Sequence, residues 1–270
     1  MAYDRELEVA LLAARLASRA ILDRYATFEK IDNAPANIAT EADRESQEII
    51  LTHLQESFPT DAYCAEEETP ALAKAAHTGA RLWIVDPIDG TRGFARKNGE
   101  FSVMIAFVDQ GTIGAGVVQE PALGRATYAV KGGGCWKLDG EGAAPQRCQV
   151  SDRAKLAESR LVQSRSRDPG VPTEHVQALR PKEVIETYSA GIKLALVARG
   201  DADFYVNRYA KFHDWDICAG HILVGEAGGT VTGLQGETLV YGQEGAWQRL
   251  GLLATNGKLH AAALEKMLTM

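Results

Sequence analysis

Cysteine is scarce in this chain of 270 residues. Its four cysteines, Cys64, Cys135, Cys148 and Cys218, lie well apart in sequence and none belongs to a C-x-x-C pair. That excludes a zinc-ribbon or dithiol redox motif and predicts free thiols in a reducing cytoplasm. Positive charge is in deficit too: 29 Lys and Arg against 36 Asp and Glu leave a formal charge of -7, the wrong sign for a protein that grips a nucleic-acid backbone. No apolar run reaches the length of a membrane span. The opening stretch, MAYDRELEVALLAARLASRAILDRY, carries Arg15, Arg19 and several acids among its apolar positions, so it predicts neither a signal segment nor a membrane helix. Proline- or serine-rich linkers, repeats and low-complexity tracts are missing as well. What is present is 46% hydrophobic and 24% charged residues, enough for a large core in one domain or two fused lobes.

Leu7, Leu11, Ala14, Ser18, Ile21 and Tyr25 fall on one helical face, predicting a helix over residues 4 to 25. TEAD opens a second helix, with Thr40 as N-cap and Asp43 at N3, which runs to a stop at Pro59. RLWIVD reads as a buried strand that ends at Asp86, where Pro87 breaks sheet pairing. EFSVMIAFV and TIGAGVVQE flank DQG as a hairpin, and RATYAVKGGGCWKL adds further strand. After about residue 150 strands and helices alternate, with a helix over DWDICAGHILVGEAGG and a strand at GLLATN before a last helix. The expected organisation is an N-terminal α+β lobe over 1–150 and a C-terminal α/β lobe over 151–270, packed closely.

The stretch VDPIDGTRGF, residues 85 to 94, concentrates chemistry. The carboxylates of Asp86 and Asp89, the carbonyl of Ile88 and the hydroxyl of Thr91 make a hard oxygen set suited to Mg²⁺ or Ca²⁺ rather than zinc. Gly90 permits close backbone approach, and a helix starting at Gly90-Thr91 would offer free N–H groups to a phosphate. The acids are not spaced as in an EF-hand. Nor does the stretch fit D-x-D-x-T, because Ile88 stands where a second acid is needed. Further acids come from CAEEET, with Glu66, Glu67 and Glu68, and from HDWDICAGH, with Asp216. Each also has a plain structural role open to it, as turn, cap or solvated residue.

Taken together, WIVDPIDGTRGF, WDICAGHILVGEAGG, TEAD and AEEE resemble, in order, the signatures and flanking elements of the inositol monophosphatase superfamily of magnesium-dependent, lithium-sensitive phosphomonoesterases. The resemblance implies an α+β fold, a five-layer α-β-α-β-α sandwich, and two or three Mg²⁺ ions per site. It implies that Glu66, Asp86 and the Ile88 carbonyl hold one ion and that Asp86, Asp89 and Asp216 hold another, with Glu67 in support. Thr91 and Asp43 would form the dyad that orients and deprotonates the attacking water, and the Gly90 and Thr91 amides would bind phosphate. No covalent nucleophile is needed, and His213 and His221 are not expected to ligate. The implied partner is a small phosphorylated metabolite, with a homodimer left open. A catalytically silent, ligand-binding relative is the alternative from another class; the full set of predicted ligands speaks against it.

RKNGEFSVMIAFV, SRSR at 164 to 167, SAGIKLALVARGDADFY and WDICAGH resemble the 3'(2'),5'-bisphosphate nucleotidases, which implies adenosine 3',5'-bisphosphate as substrate. Its uncleaved phosphate would need fixed cations, for which Lys193, Arg165 and Arg167 are the candidates. Arg92-Gly93-Phe94 departs from the Lys-Glu-Phe of that subgroup and resembles histidinol-phosphate phosphatases. NRYAKFHDWD also lacks the nucleotidases' Pro-Arg pattern. Inositol-1-phosphate and histidinol phosphate therefore stay as alternative substrates.

Overall fold

The computed structural model of the chain describes residues 2–35, 38–166, 170–209 and 212–269. Two amphipathic helices come first, α1 (Asp4–Thr27) and α2 (Glu41–Ser57). Thr40 caps α2 as the sequence predicts: its hydroxyl accepts from Ala42 N, and Asp43 returns an oxygen to Thr40 N at 2.7 Å. Then follow β1 (Ala62–Ala65), α3 (Pro70–Ala73), β2 (Arg81–Asp89), α4 (Thr91–Ala95), β3 (Ser102–Asp109), β4 (Thr112–Glu120), β5 (Arg125–Val130), β6 (Gly134–Asp139) and β7 (Gln146–Cys148). These seven strands lie side by side in chain order, parallel between β1 and β2 and antiparallel thereafter.

The remainder contains β8 (Arg160–Gln163), α5 (Glu174–Leu179), β9 (Glu183–Glu186), α6 (Ala190–Ala198), β10 (Phe204–Asn207), β11 (Phe212–His213), α7 (Asp214–Glu226), β12 (Thr230–Thr232), β13 (Trp247–Gln248), β14 (Leu252–Thr255) and α8 (His260–Leu268). Five of these strands form a second sheet in the order β12-β14-β10-β8-β9, and β11 pairs with β13 alone. Four-residue β1 and the short β11–β13 pair were not foreseen, because such short segments are defined by their partners rather than by any period of their own.

The layers follow from side-chain alternation. Trp83, Val85, Val103, Ile105 and Phe107 face α1 and α2, while Leu82, Ile84, Met104, Ala106 and Val108 face α6 and α7. Both faces of the first sheet are thus buried, which explains why its strands read as continuous apolar runs. The second sheet closes over the other side of α6 and α7 and is covered in turn by α5 and α8 through Leu161, Phe204, Leu253, Leu259 and Met267. The result is the five-layer α-β-α-β-α sandwich. Helix α7 lies directly on the first sheet: a Cβ on Gly116 of β4 would sit 2.5 Å from Ile222 and 2.8 Å from the Ala219 carbonyl.

Candidate active site

Pairing in β2 does not stop at Pro87. It runs from Asp86 opposite Met104 to Asp89 opposite Ser102, so three steps along β2 match two along β3. The proline has no N–H to give the ladder, and the strand absorbs the defect as a bulge. The consequence is chemical. On a regular strand, residues three apart point to opposite faces; one extra residue turns Asp86 and Asp89 to the same cleft. Ser46 Oγ donates to the Pro87 carbonyl at 3.0 Å, tying the bulge to α2. Gly90, with φ of 87°, then turns the chain into α4, and a Cβ there would meet the Glu100 carbonyl at 2.8 Å.

Ligand oxygens of Asp86, Asp89 and Asp216 lie within 4.8 Å of one another. Asp216 sits in the first turn of α7, where one oxygen accepts from His213 N at 2.6 Å. Asp89 is bound across the molecule to the start of α6, accepting from Ala190 N at 3.1 Å, Gly191 N at 2.7 Å and Ser189 Oγ, and it also accepts from Ser102 Oγ of β3 at 3.3 Å. Asp86 is 2% exposed and its Oδ1 is buried without a hydrogen-bond partner. Its carboxyl is held well above the usual carboxylate range, by burial first and by the charges of Glu66 and Asp89 next. Glu66 is open to the cleft, but the walls shut out bulk water around it. That desolvation, with the charges of Asp216 and Asp43, pushes it up to about 8 despite a hydrogen bond to Asp86. Burial likewise lifts Asp216 to about 7 against the opposing His213 N–H.

So many carboxyls with raised pKa values and one orphaned buried oxygen are the features of a site made for a cation. All the donors are hard oxygens, which fits Mg²⁺.

Asp43 stands behind this cluster, and its two oxygens have separate duties. Oδ2 accepts from Thr40 N and Thr40 Oγ1, both at 2.7 Å, while Oδ1 is 3.0 Å from Thr91 Oγ1. Thr91 Oγ1 is also 3.0 Å from the Ile88 carbonyl; its single proton has two acceptors to choose from. Burial raises the Asp43 pKa, opposed by the Thr40 and Thr91 hydrogen bonds.

Glu66, Glu67, Asp86, Ile88, Asp89, Gly90, Thr91, Arg165, Lys193 and Asp216, all expected at the site, line one cleft of about 710 Å³. Arg167 lies outside the described residues. Lys193 is 1% exposed and donates to the Tyr188 and Ser189 carbonyls at 2.9 and 3.0 Å. Burial lowers its pKa to about 8, against the pull of Asp89 and Glu100. Arg165 is paired with Glu100 through both of its arms, Nε to Oε2 at 2.8 Å and Nη2 to Oε1. His213 stacks on Trp215 at 4.3 Å, and His221 bonds Tyr241 at 2.7 Å; neither belongs to the acid cluster.

Gln47 escaped sequence reasoning. Fully buried one turn after Asp43, it accepts from Glu67 N at 2.8 Å and donates to the Glu67 carbonyl, clamping the loop that carries Glu66. Ser102 and Ser189, which hold Asp89, were missed for the same reason: their partners are about 13 to 100 residues away. A serine just ahead of α6 was the one local signal, since Ser189 is its N-cap.

The sequence model of the inositol monophosphatase family matches residues 3–269. The chain belongs to the inositol monophosphatase family. Among curated relatives, the Thermotoga maritima fructose-1,6-bisphosphatase/inositol-1-monophosphatase is 36% identical over 74% of this chain and 73% of its own. The 3'(2'),5'-bisphosphate nucleotidase CysQ of Salmonella typhimurium is 34% identical over 87% and 93%. The histidinol-phosphatase of Mycobacterium tuberculosis is 32% identical over 99% of both. In three dimensions the Thermotoga maritima IMPase superposes with a TM-score of 0.81 at 28% identity, covering 98% of this chain and 97% of that one. The protein is therefore a phosphatase of phosphate esters, in a family that is metal-dependent, generally on Mg²⁺. No helix among the described residues is long and apolar enough to cross a membrane.

Proposed function

We propose that this phosphatase is a 3'(2'),5'-bisphosphate nucleotidase acting on adenosine 3',5'-bisphosphate. One observation carries the reading: the cleft opposes its carboxylates with fixed cations, so it suits a substrate bearing one phosphate to cleave and another to hold. The Salmonella typhimurium nucleotidase, similar over 87% of this chain, supports it. Glu66, Asp86 and the Ile88 carbonyl would hold one Mg²⁺; Asp86, Asp89 and Asp216 would hold a second, with room for a third in the count. When bound, the metal supplies neutralisation of the phosphoryl oxygens and a lowered pKa for water.

The chain's own residues do the rest. Thr91 Oγ accepts a proton from the attacking water as its own moves to Asp43 Oδ1, which burial has made more basic. Once the Ile88 carbonyl is engaged elsewhere, Asp43 is the acceptor left to that hydroxyl. The first-turn N–H groups of Gly90 and Thr91 have no partners within their helix and receive the phosphate. Glu67 supports the site from the cleft wall. Lys193 spends two of its three donors on carbonyls and keeps one for the substrate. We place the enzyme in the cytoplasm, inhibited by lithium, with dimerisation as an option.

Histidinol phosphate is the second substrate to test, because the histidinol-phosphatase relative spans 99% of this chain. Phosphate release should be measured on adenosine 3',5'-bisphosphate, inositol 1-phosphate, histidinol phosphate and fructose 1,6-bisphosphate, with Mg²⁺ and with EDTA. The expected outcome is the highest kcat/KM on the adenosine bisphosphate and silence in EDTA. A higher kcat/KM on inositol 1-phosphate or histidinol phosphate rejects the nucleotidase reading.

A further inference from the structure

Tyr188, in the turn before α6, is surrounded by cations. The guanidinium carbons of Arg92, Arg96 and Arg165 lie 5.2, 5.8 and 5.8 Å from the centre of its ring. Arg96 also donates to its hydroxyl at 2.8 Å, and Lys193 to its carbonyl. Arg92 and Arg96 are one helical turn apart, starting immediately after Thr91, so α4 carries both to the same side. Arg165 arrives from the other half of the chain, after β8. Against these three guanidiniums stands Glu100, which takes Arg165 in a two-armed pair and accepts from Tyr188 N at 3.3 Å. Arg92 commits its Nε to the Ala34 carbonyl at 3.1 Å, which steadies the guanidinium, and the residue lines the cleft.

In a chain of net charge -7, three arginines gather on one ring. Glu100 pairs Arg165 directly, while Glu186 acts on Arg165 and Asp32 on Arg96 through charge alone, and Arg92 faces no carboxylate partner of its own among these. Like charges so close repel; the negative face of the ring and Glu100 offset part of that, and an anion would offset the remainder. Arg92, Arg165 and Tyr188 line the same cleft as Asp86, Asp89 and Asp216, whereas Arg96 does not reach it and acts by holding the tyrosine.

From this geometry we infer that Arg92 and Arg165, braced on Tyr188, are a second anion subsite that selects phosphate esters carrying another phosphate group. The inference rests on the proposed function, as the same cleft's selectivity, and assigns that selectivity to Arg92 above Lys193. It also has a negative side. A leaving group that is a neutral polyol gains nothing from it.

The test is Arg92→Gln combined with Arg165→Gln, assayed on adenosine 3',5'-bisphosphate, fructose 1,6-bisphosphate and inositol 1-phosphate in one preparation. The ratio of kcat/KM for each bisphosphate to that for the monophosphate should fall about 10- to 100-fold, mainly through KM. Arg92→Lys, which keeps the charge but not the fork, should recover part of the ratio and confirms that the variants are folded. Equal losses on all three esters, or a wild-type enzyme that prefers neither bisphosphate to inositol 1-phosphate, overturns the subsite. If the ratio for fructose 1,6-bisphosphate collapses in the variant while wild type handles the adenosine compound worse than inositol 1-phosphate, the subsite stands and the nucleotidase reading falls.

Discussion

The two ends of the cleft are built differently. At the acid end Asp86 is buried in a strand bulge, Asp216 belongs to the first turn of a long helix, and Asp89 is held by two N–H groups and two hydroxyls. At the basic end, the side chain of Arg165 is 40% exposed on a connecting segment, and Arg92 projects from a helix of five residues. Backbone geometry fixes the first; side chains leaning on one tyrosine fix the second. On the proposed assignment, chemistry common to all phosphate esters would sit on the framework and the choice among esters on short connections, where it can change without disturbing the framework.

The sharpest way to break this contrast is Asp86→Asn. Turnover at saturating Mg²⁺ should fall far below a tenth of wild type, while the metal-free protein melts at a higher temperature, because a buried carboxyl that can ionise only against its acidic neighbours is gone. A variant that keeps more than a tenth of its activity would remove Asp86 from the metal site.

A smaller effect is expected one step behind the ligands. Thr91→Ala should lower kcat about 100-fold with the Mg²⁺ half-saturation little changed, since it removes water orientation and not a ligand. Asp43→Asn should act alike. If Asp43→Asn only lowers the melting temperature and leaves kcat intact, its cap on α2 was its whole role.

The smallest and most general test is pH. Glu66 at about 8 and Asp216 at about 7 are raised in the folded, metal-free protein. From the ordinary carboxylate range up to those values the native state holds more protons than the unfolded one, so stability declines as pH rises. The metal-free melting temperature should therefore drop between pH 5 and pH 8.5. Mg²⁺ half-saturation should improve over the same interval, because the ion no longer competes with protons. A melting temperature that rises with pH would contradict the raised carboxyls.

Much of the framework was legible because it is local. The α2 capping box, the hairpin over DQG and the helix bearing Asp216 each announce themselves within about ten residues. The candidate ligand set was not local: it was implied by the family resemblance of four stretches taken in order. What was not legible depends on distance. That Pro87 makes a bulge and not a strand end depends on β3 resuming the pairing at Ser102. That Arg165 reaches Glu100, 65 residues away in sequence, emerges only once the segment after β8 is laid beside the one before β3. Arg92 was visible as an oddity of sequence; its companions on Tyr188 were not.

Helix α7 also sets a timetable. The seven-stranded sheet is complete at Cys148, yet the face formed by Met104, Ala106, Val118 and Ala129 is sealed by a helix that ends at Glu226, 78 residues later (226 − 148). At ~5–20 residues per second of synthesis, that apolar face waits roughly 4–16 seconds for its cover. The nascent first half thus emerges with a sticky surface and without Asp216, and both deficits end with the arrival of the same helix.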